Sequence, residues 1–527
     1  MTADRYGEAM MWVCRAGTKT GTVWVMMSPP PPSDSEVLSP AEQGPNAWTG
    51  WRLDTASGRT RVEQIVEGFA QGIEAQRFAP GARLPSIREA ARGFQVSRFT
   101  VVEAYERLIA RGLIESRPGS GFYVRERSVA AGLASARVWA ETPNPKMDVV
   151  WLLRNLFRQL PLQDMPGGGV LPADWLEEGL IATSLRSVAR TAAPALLAYG
   201  QPQGYLPLRQ QLQRSLAAHE IEARPEQIVL VNGVTQGLDL VAQHCARPGD
   251  TLLVDDPGWF LMYGRFSQLG LKVVGVPRLA DGPDIEALRA LCVAHRPRLY
   301  VLTATHHNPT GTSMSAAKAY QVLRLAEAHD FLVVDDDIYG DLQAGAGPQP
   351  SIRLAALDRF ERTIHLGGFS KVLGPNLRVG FVACAPALAA ALTDLKMLVG
   401  LTSCELAERV VTRVLADGHY RRHLERLRGR LAQSRPALHR RLERIGLKPF
   451  TSASAGLFVW ADTGVDTRPI AEAMLAQGYV TAPGSLFSPD QRPSTWMRFN
   501  VATSGEARMW SLLESLILKS RRAPQGT

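Results

Sequence analysis

Cysteine is scarce in this chain of 527 residues: Cys14, Cys245, Cys292, Cys384 and Cys404 stand singly, with no Cys-x-x-Cys pair and no metal-ligand spacing. That argues against a disulfide framework and a cysteine metal site, and no metal is expected. Long apolar runs are lacking too. No stretch reaches the roughly 18 uncharged apolar residues that span a bilayer, and Asp4, Glu8, Arg15 and Lys19 break up the segment where a secretory leader would need an apolar core. A cytoplasmic protein with no membrane partner is expected. No internal repeat is visible. Lysine is absent from residues 59–127, although that stretch carries twelve arginines against eight acids.

What is present fits a globular chain: 45% hydrophobic and 21% charged residues, with a formal net charge of +9. Its length suggests about two to four folding units. An all-arginine basic segment suits bidentate contacts with phosphate and guanine. Residues 1–57, with Pro29-Pro30-Pro31-Pro32 and no sustained period, read as a disordered extension.

Residues 58–127 read as a winged helix-turn-helix. From Arg61, the residues Val62, Ile65, Val66, Phe69 and Ile73 recur on one helical face, and the pattern stops at Ala79-Pro80-Gly81. Ser86-Ile87-Arg88-Glu89 is a capping box opening a short helix. Ser97 caps a longer one with the stripe Val101, Tyr105, Leu108 and Ile109, ending at Gly112. Residues 113–116 and 121–124 read as a hairpin, the wing. Such a motif sets the first turn of its second helix at base edges, which nominates Ser97, Arg98 and Thr100. Arg83 and Arg88 are placed to clamp phosphates, and Gly119 and Gly121 to let the wing backbone approach double-stranded DNA. The competing reading is a charged face on a small protein-interaction domain.

Residues 128–146 are Ala-rich and Pro-broken, a linker. Residues 147–520 alternate strands (228–231, 252–255, 272–276, 299–302 and 331–335) with amphipathic helices, predicting an α/β domain with a mostly parallel sheet. A small subdomain is expected over about 405–520. Several motifs sit where ligands bind such sheets, beyond strand carboxyl ends. Ser370-Lys371 with Arg378 offers an amine and a guanidinium. Asp336, or Asp335 or Asp337 beside it, offers a buried acid, and Tyr339 a hydroxyl. Asn232-Gly233-Val234-Thr235 opens a helix after a strand, a phosphate cradle. Asp256-Pro257-Gly258-Trp259 offers an indole face, His307-Asn308-Pro309-Thr310-Gly311 an amide, and Trp496-Met497-Arg498 an arginine suited to a carboxylate. An amine, a ring acid, a phenolate partner, a stacking aromatic and a phosphate cradle are the needs of pyridoxal phosphate.

The run from Pro80 to Arg88, with Val96-Ser97-Arg98-Phe99-Thr100-Val101 and Ala104-Tyr105-Glu106-Arg107-Leu108, resembles the GntR family of bacterial repressors. The later motifs, in order, resemble fold-type I aminotransferases. Fused, the two halves resemble the MocR subfamily of regulators over most of residues 59–515. The resemblance implies a Schiff base at Lys371, Asp336 on the ring nitrogen, and Tyr339 and Asn308 on the phenolate oxygen. Trp259 would stack on the ring, and Val234, Thr235, Ser370 and Arg378 would hold the cofactor's phosphate side. It also implies Arg498 on an effector carboxylate and Tyr199 reaching the phosphate of a second subunit, hence a homodimer. One departure stands out: relatives carry Ser or Thr where this chain has Gly368. Three functions follow as alternatives: a regulator sensing an amine, an amino acid or pyridoxal phosphate; a working aminotransferase with a DNA-binding head; or a degenerate fold serving only to dimerise.

Overall fold

The computed structural model describes residues 51–125 and 149–522, apart from 55–56, 76, 80, 118–119, 158–159, 193–196, 344–351, 417 and 453. The chain divides into two compact units, Met1–Pro143 and Asn144–Thr527. Most of the expected extension, the whole expected linker and the wing residue Gly119 lie outside the described residues.

In the first unit, helices α1 (Arg61–Glu74), α2 (Ile87–Gly93) and α3 (Arg98–Ala110) precede a hairpin of β1 (Ile114–Arg117) and β2 (Gly121–Val124). The ends form where the side chains satisfy free N–H groups. Thr60 with Glu63, and Ser86 with Glu89, close capping boxes, and the Ser97 hydroxyl accepts from the Thr100 amide. Helix α1 stops at Glu74, one turn short of the Pro80 signal. The core joins Ile65, Val66 and Phe69 to Ala90, Phe94, Val101, Ala104, Tyr105 and Leu108. The stripe on α3 differs from expectation at one place: Ala104 takes the buried position and Ile109 is 38% exposed, because a 3.6-residue period carries Ile109 past the face that Leu108 fills. Trp51 also corrects the expected extent of the irregular extension. Its indole packs edge-on against Phe69 and Phe94, and Gly68 admits it, since a Cβ there would overlap the ring.

The second unit is built on an eight-stranded sheet. In spatial order its strands are β3 (Ile228–Val231), β10 (Gly380–Ala383), β9 (Thr363–Gly368), β8 (Leu332–Asp336), β7 (Leu299–Leu302), β4 (Thr251–Asp256), β5 (Lys272–Leu279) and β6 (Gly282–Pro283). Pairs β4–β5, β4–β7, β7–β8 and β8–β9 are parallel, and β10 runs against both its neighbours. The carboxyl ends of β3, β4, β7, β8 and β9 therefore gather at one edge, together with the start of β10. Strands β3, β7 and β10 are almost wholly buried, as sheets covered by helices on both faces require. A four-stranded antiparallel sheet of β11 (Lys448–Pro449), β12 (Phe458–Asp462), β14 (Trp496–Asn500) and β13 (Ala482–Pro483) forms near the chain's end. Among the described residues no helix is long and apolar enough to cross a membrane.

Candidate functional site

Most expected side chains of the second unit are placed by a strand end or a helix start, Arg498 by the middle of β14 and Tyr199 by a loop. Helix α4 (Val234–Cys245) begins directly after β3, and its N-cap, Gly233, has φ +79 and no side-chain cap. The first amides of α4 are thus aimed outward unshielded, the arrangement that takes a phosphate. Arg378, also at positive φ, holds this corner from the start of β10, its Nη2 donating to Asn232 O at 2.9 Å and its Nη1 reaching Ser370 Oγ at 3.5 Å. A Cβ at Gly233 would stand 2.5 Å from Arg378 Nη2, so only glycine leaves the guanidinium this close to the helix start.

Next to that corner opens a cleft of about 480 Å³, lined by Val234, Thr235, Trp259, Thr303, Asn308, Asp336, Ile338, Tyr339, Ser370 and Lys371. Every residue expected at the cofactor, apart from Arg378 on the rim and Tyr199, is among them. Among the three consecutive acids, the period-2 alternation of β8 separates Asp336 from its neighbours. Asp335 Oδ1 accepts from the Ala304 amide at 3.1 Å, and Asp337 is paired with Arg353 at 2.6 Å. Asp336 alone faces the cleft, its Oδ1 accepting only a long 3.3 Å bond from the Ile338 amide. Burial pushes its carboxyl up to about 7, so a positively charged partner would be needed to keep it fully ionised there.

Lys371 lies just beyond β9, and its Nζ donates to Gly169 O at 2.8 Å. Burial, helped by the nearby Arg498 charge, lowers its amine to about 8 against the pull of Asp336. Tyr339 OH lies 3.5 Å from Asn308 Nδ2, and Asn308 Oδ1 accepts from Arg498 Nη1 at 2.8 Å. Arg498, on β14, is 2% exposed; it also donates to Gly167 O, and its guanidinium lies over Phe458 at 4.3 Å and Phe487 at 4.9 Å. Trp259 borders the cleft at the start of the helix Phe260–Gln268.

Three features carry no sequence signal of the kind that marked the others. Gly167-Gly168-Gly169 brings its carbonyls to Lys371 and Arg498, and a Cβ at Gly169 would lie 3.6 Å from Lys371 Nζ and 4.0 Å from Arg498 Nη2. Thr303 and Ile338 line the cleft merely as the residues that follow β7 and separate Asp336 from Tyr339. Lys396, on α5 (Pro386–Gly400), buries its ammonium among Pro202 O, Leu230 O and Ser403 Oγ at 2.7, 2.7 and 2.8 Å. Ser403 in turn bonds Glu408, which accepts from the Tyr205 amide at 2.8 Å. This chain ties the segment after Tyr199 to β3. Substituting Lys396→Met should cost about 1–3 kcal/mol per stranded acceptor, read as a lower urea midpoint; an unchanged midpoint would remove Lys396 from this role.

Gly368 packs tightly: a Cβ there would meet Ile338 Cδ1 at 3.1 Å and Gly380 Cα and Val379 O at 3.2 Å. The hydroxyl that the resemblance leads one to expect there is missing, and a side chain at this position would need Ile338 or the Val379–Gly380 backbone to give way. Tyr199 does not line the cleft and is 83% exposed.

In the first unit, Arg83, Arg88, Ser97 and Arg98 are exposed and Thr100 half-buried. The Ser97 hydroxyl, which caps α3, also bonds the Thr100 hydroxyl at 2.8 Å. Gly121 has φ +111 and lies beneath the Arg83 side chain, whose Nε would be 3.5 Å from a Cβ at that position. Arg83 and the wing are thereby brought together, with Arg83 bridged to Tyr123.

A sheet edge carrying a lysine, a ring acid and an uncapped helix start defines a pyridoxal-phosphate fold of the aminotransferase type. Residues 172–516 match the family described as aminotransferase class I and II, and the chain belongs to that family. Residues 61–124 match the bacterial regulatory proteins of the gntR family. The 2-aminoadipate transaminase of Thermus thermophilus is 30% identical over 65% of this chain and 88% of its own. The HTH-type transcriptional regulator TauR of Rhodobacter capsulatus is 28% identical over 90% of this chain and 96% of its own. The probable rhizopine catabolism regulatory protein MocR of Rhizobium meliloti is 28% identical, over 71% and 76%. Among solved structures, the α-aminoadipate aminotransferase LysN of Thermus thermophilus, complexed with N-(5'-phosphopyridoxyl)-L-leucine, superposes with TM-score 0.64 at 26% identity, covering 70% of this chain and 95% of its own. The chain is thus a transcription regulator with an aminotransferase-like domain. The GntR head implies DNA binding, and the family and its solved neighbours imply pyridoxal phosphate.

Proposed function

We propose that this protein is a cytoplasmic, homodimeric regulator that senses an amino acid or related amine through pyridoxal phosphate and converts that into a change of operator affinity. The observation that carries the reading is the point beside Gly169 that lies 3.6 Å from the Lys371 amine and 4.0 Å from the Arg498 guanidinium. An α-amino acid presents an amine and a carboxylate across such a gap.

Pyridoxal phosphate, when bound, supplies an aldehyde reactive toward amines and an electron-withdrawing ring. The chain's own residues do the rest. Val234 and Thr235 at the start of α4, with Ser370 and Arg378, hold the phosphate side. Asp336 keeps a proton on the ring nitrogen, Tyr339 and Asn308 fix the phenolate oxygen, and Trp259 covers a ring face. Lys371 offers its amine and Arg498 takes the carboxylate. An exposed Tyr199, together with Leu197 at 91% and Leu398 at 87% exposure, supports a surface covered by a second subunit whose phosphate Tyr199 reaches. Ligand binding acts on DNA only through a difference in affinity between two arrangements of the heads, and the coupling is reciprocal. Arg83, Arg88, Ser97, Arg98, Thr100 and the wing at Gly119 and Gly121 form the DNA face.

Aminotransferase turnover is the second reading, favoured by the retained Lys371, Asp336 and Tyr339 set. Mixing the loaded protein with amino acids and 2-oxoglutarate separates the two. A single spectral shift that alters operator affinity supports sensing; rapid multiple turnover with unaltered operator affinity overturns it.

Two results are expected from this site. Because burial lowers the Lys371 amine to about 8, below that pH it is mostly protonated and cannot attack a carbonyl. The rate at which the cofactor-free chain combines with added pyridoxal phosphate should then rise about tenfold per pH unit up to pH 8 and level above it. Stopped-flow absorbance reads this, and a rise continuing to pH 10 would mean an unburied lysine. Gly169→Val would fill the gap between Lys371 and Arg498. Amino acids should then lose tenfold or more in apparent affinity, an estimate on the order of 1.4 kcal/mol of overpacking, while the cofactor's own spectrum persists.

A further inference from the structure

We propose that Phe99 is a sequence-reading residue of the DNA head, contacting the C5-methyl group of a thymine in the major groove next to a base read by Arg98. This rests on the DNA-binding reading and names the chemistry it reads. Phe99 is 76% exposed in the first turn of α3, and the other large exposed hydrophobic among the described residues of this unit, Ile109, is only 38% exposed. Leaving a phenyl ring in water forgoes about 1.5–3 kcal/mol of burial, so a ring held at the tip of a capped helix is suited to a contact made on binding.

Its direction follows from helical geometry. Val101, Ala104, Tyr105 and Leu108 face the core, and at about 100° per residue Phe99 points nearly opposite their mean. Glu103 and Glu106 share that outward face farther along, and Glu103 is engaged with Arg107 at 2.7 Å. Carboxylates are repelled by the phosphate wall, so α3 meets the duplex by its first turn, where Phe99 is the central outward residue and Arg98 and Thr100 flank it. Phe99 has no hydrogen-bonding group to offer a base edge. The apolar feature of the major groove that a phenyl ring can read is the thymine methyl, whereas Arg98 beside it matches the O6 and N7 acceptors of guanine.

The test begins with duplexes selected from a random library by the full chain loaded with pyridoxal phosphate. Each thymine of the selected half-site is then replaced, one at a time, by deoxyuridine, which removes only the methyl group. For the unaltered chain, one position per half-site should weaken binding by roughly three- to tenfold. Phe99→Ala, a surface change that leaves the core intact, should weaken binding to the thymine site by a similar factor and bind thymine and uracil equally there. It should retain the chain's preference at the base read by Arg98. A half-site without thymine, indifference of the unaltered chain to every uracil, or methyl discrimination surviving in Phe99→Ala would each overturn the proposal. Failure to enrich any sequence would overturn the DNA reading with it, whereas enrichment without methyl discrimination overturns this inference alone.

Discussion

Replacing Lys371 by alanine should abolish the visible absorbance band of the lysine-bound cofactor while leaving operator binding without effector intact. The cleft contains one amine, and its neutral form is favoured by burial and by Arg498. The remaining cradle of Arg378 and the α4 amides would still hold the phosphate, so pyridoxal phosphate would bind reversibly and exchange on dialysis. The head folds around its own core, which is why basal DNA binding should persist and only the response to effector be lost. Spectroscopy and gel shift on the same preparation check both halves. A band that survives in Lys371→Ala would move the covalent site to another lysine.

Arg498→Ala should separate amino acids from simple amines. Arg498 is buried, its guanidinium bonds Asn308 Oδ1 and Gly167 O, and its Nε has no protein partner. Burial lowers it to about 10, still charged at neutral pH. Removing one side of a buried charge-assisted pair costs about 2–5 kcal/mol, roughly thirtyfold to several thousandfold in affinity for a carboxylate-bearing effector. The same amine lacking its carboxylate should lose little. Titrating each against the cofactor spectrum reads the difference, and equal losses would show that Arg498 supports the fold of the cleft rather than the ligand. At the other end of the chain, Arg98→Ala should cost about 1–3 kcal/mol of specific DNA binding; an unchanged footprint would displace α3 as the reading helix.

Much of this was written locally. Helix starts at Thr60 and Ser86 are decided by a hydroxyl and an acid a turn apart, and the start at Ser97 by its hydroxyl alone. The strands at 228–231 and 299–302 are decided by short apolar runs between turn residues. Asp336 and Tyr339 stood out because they follow an apolar run that the sequence shows as a strand, whereas Lys371, Arg378 and Asn308 stood out by residue type and motif alone, the strands at 363–368 and 380–383 having gone unread. Trp51 was not legible, since a tryptophan in a stretch without period gives no sign that Gly68 leaves room for it. Nor was Ile109, because a four-residue apolar cluster does not say which member the core admits.

The amino-acid sequence by itself determined the two-part architecture, the cofactor and most of the residues that come to line the cleft, because these depend on residue type and near-neighbour spacing. Tertiary structure alone decided which of three adjacent acids faces the cleft, since Arg353 and the Ala304 amide claim the other two. It decided that Gly169, some 200 residues from Lys371 in the chain, accepts a hydrogen bond from that lysine's amine. It decided too that Lys396 anchors the segment after Tyr199. Such contacts join parts of the chain far apart in sequence, and no local period or motif records which distant backbone carbonyl a side chain will meet once the sheet has closed.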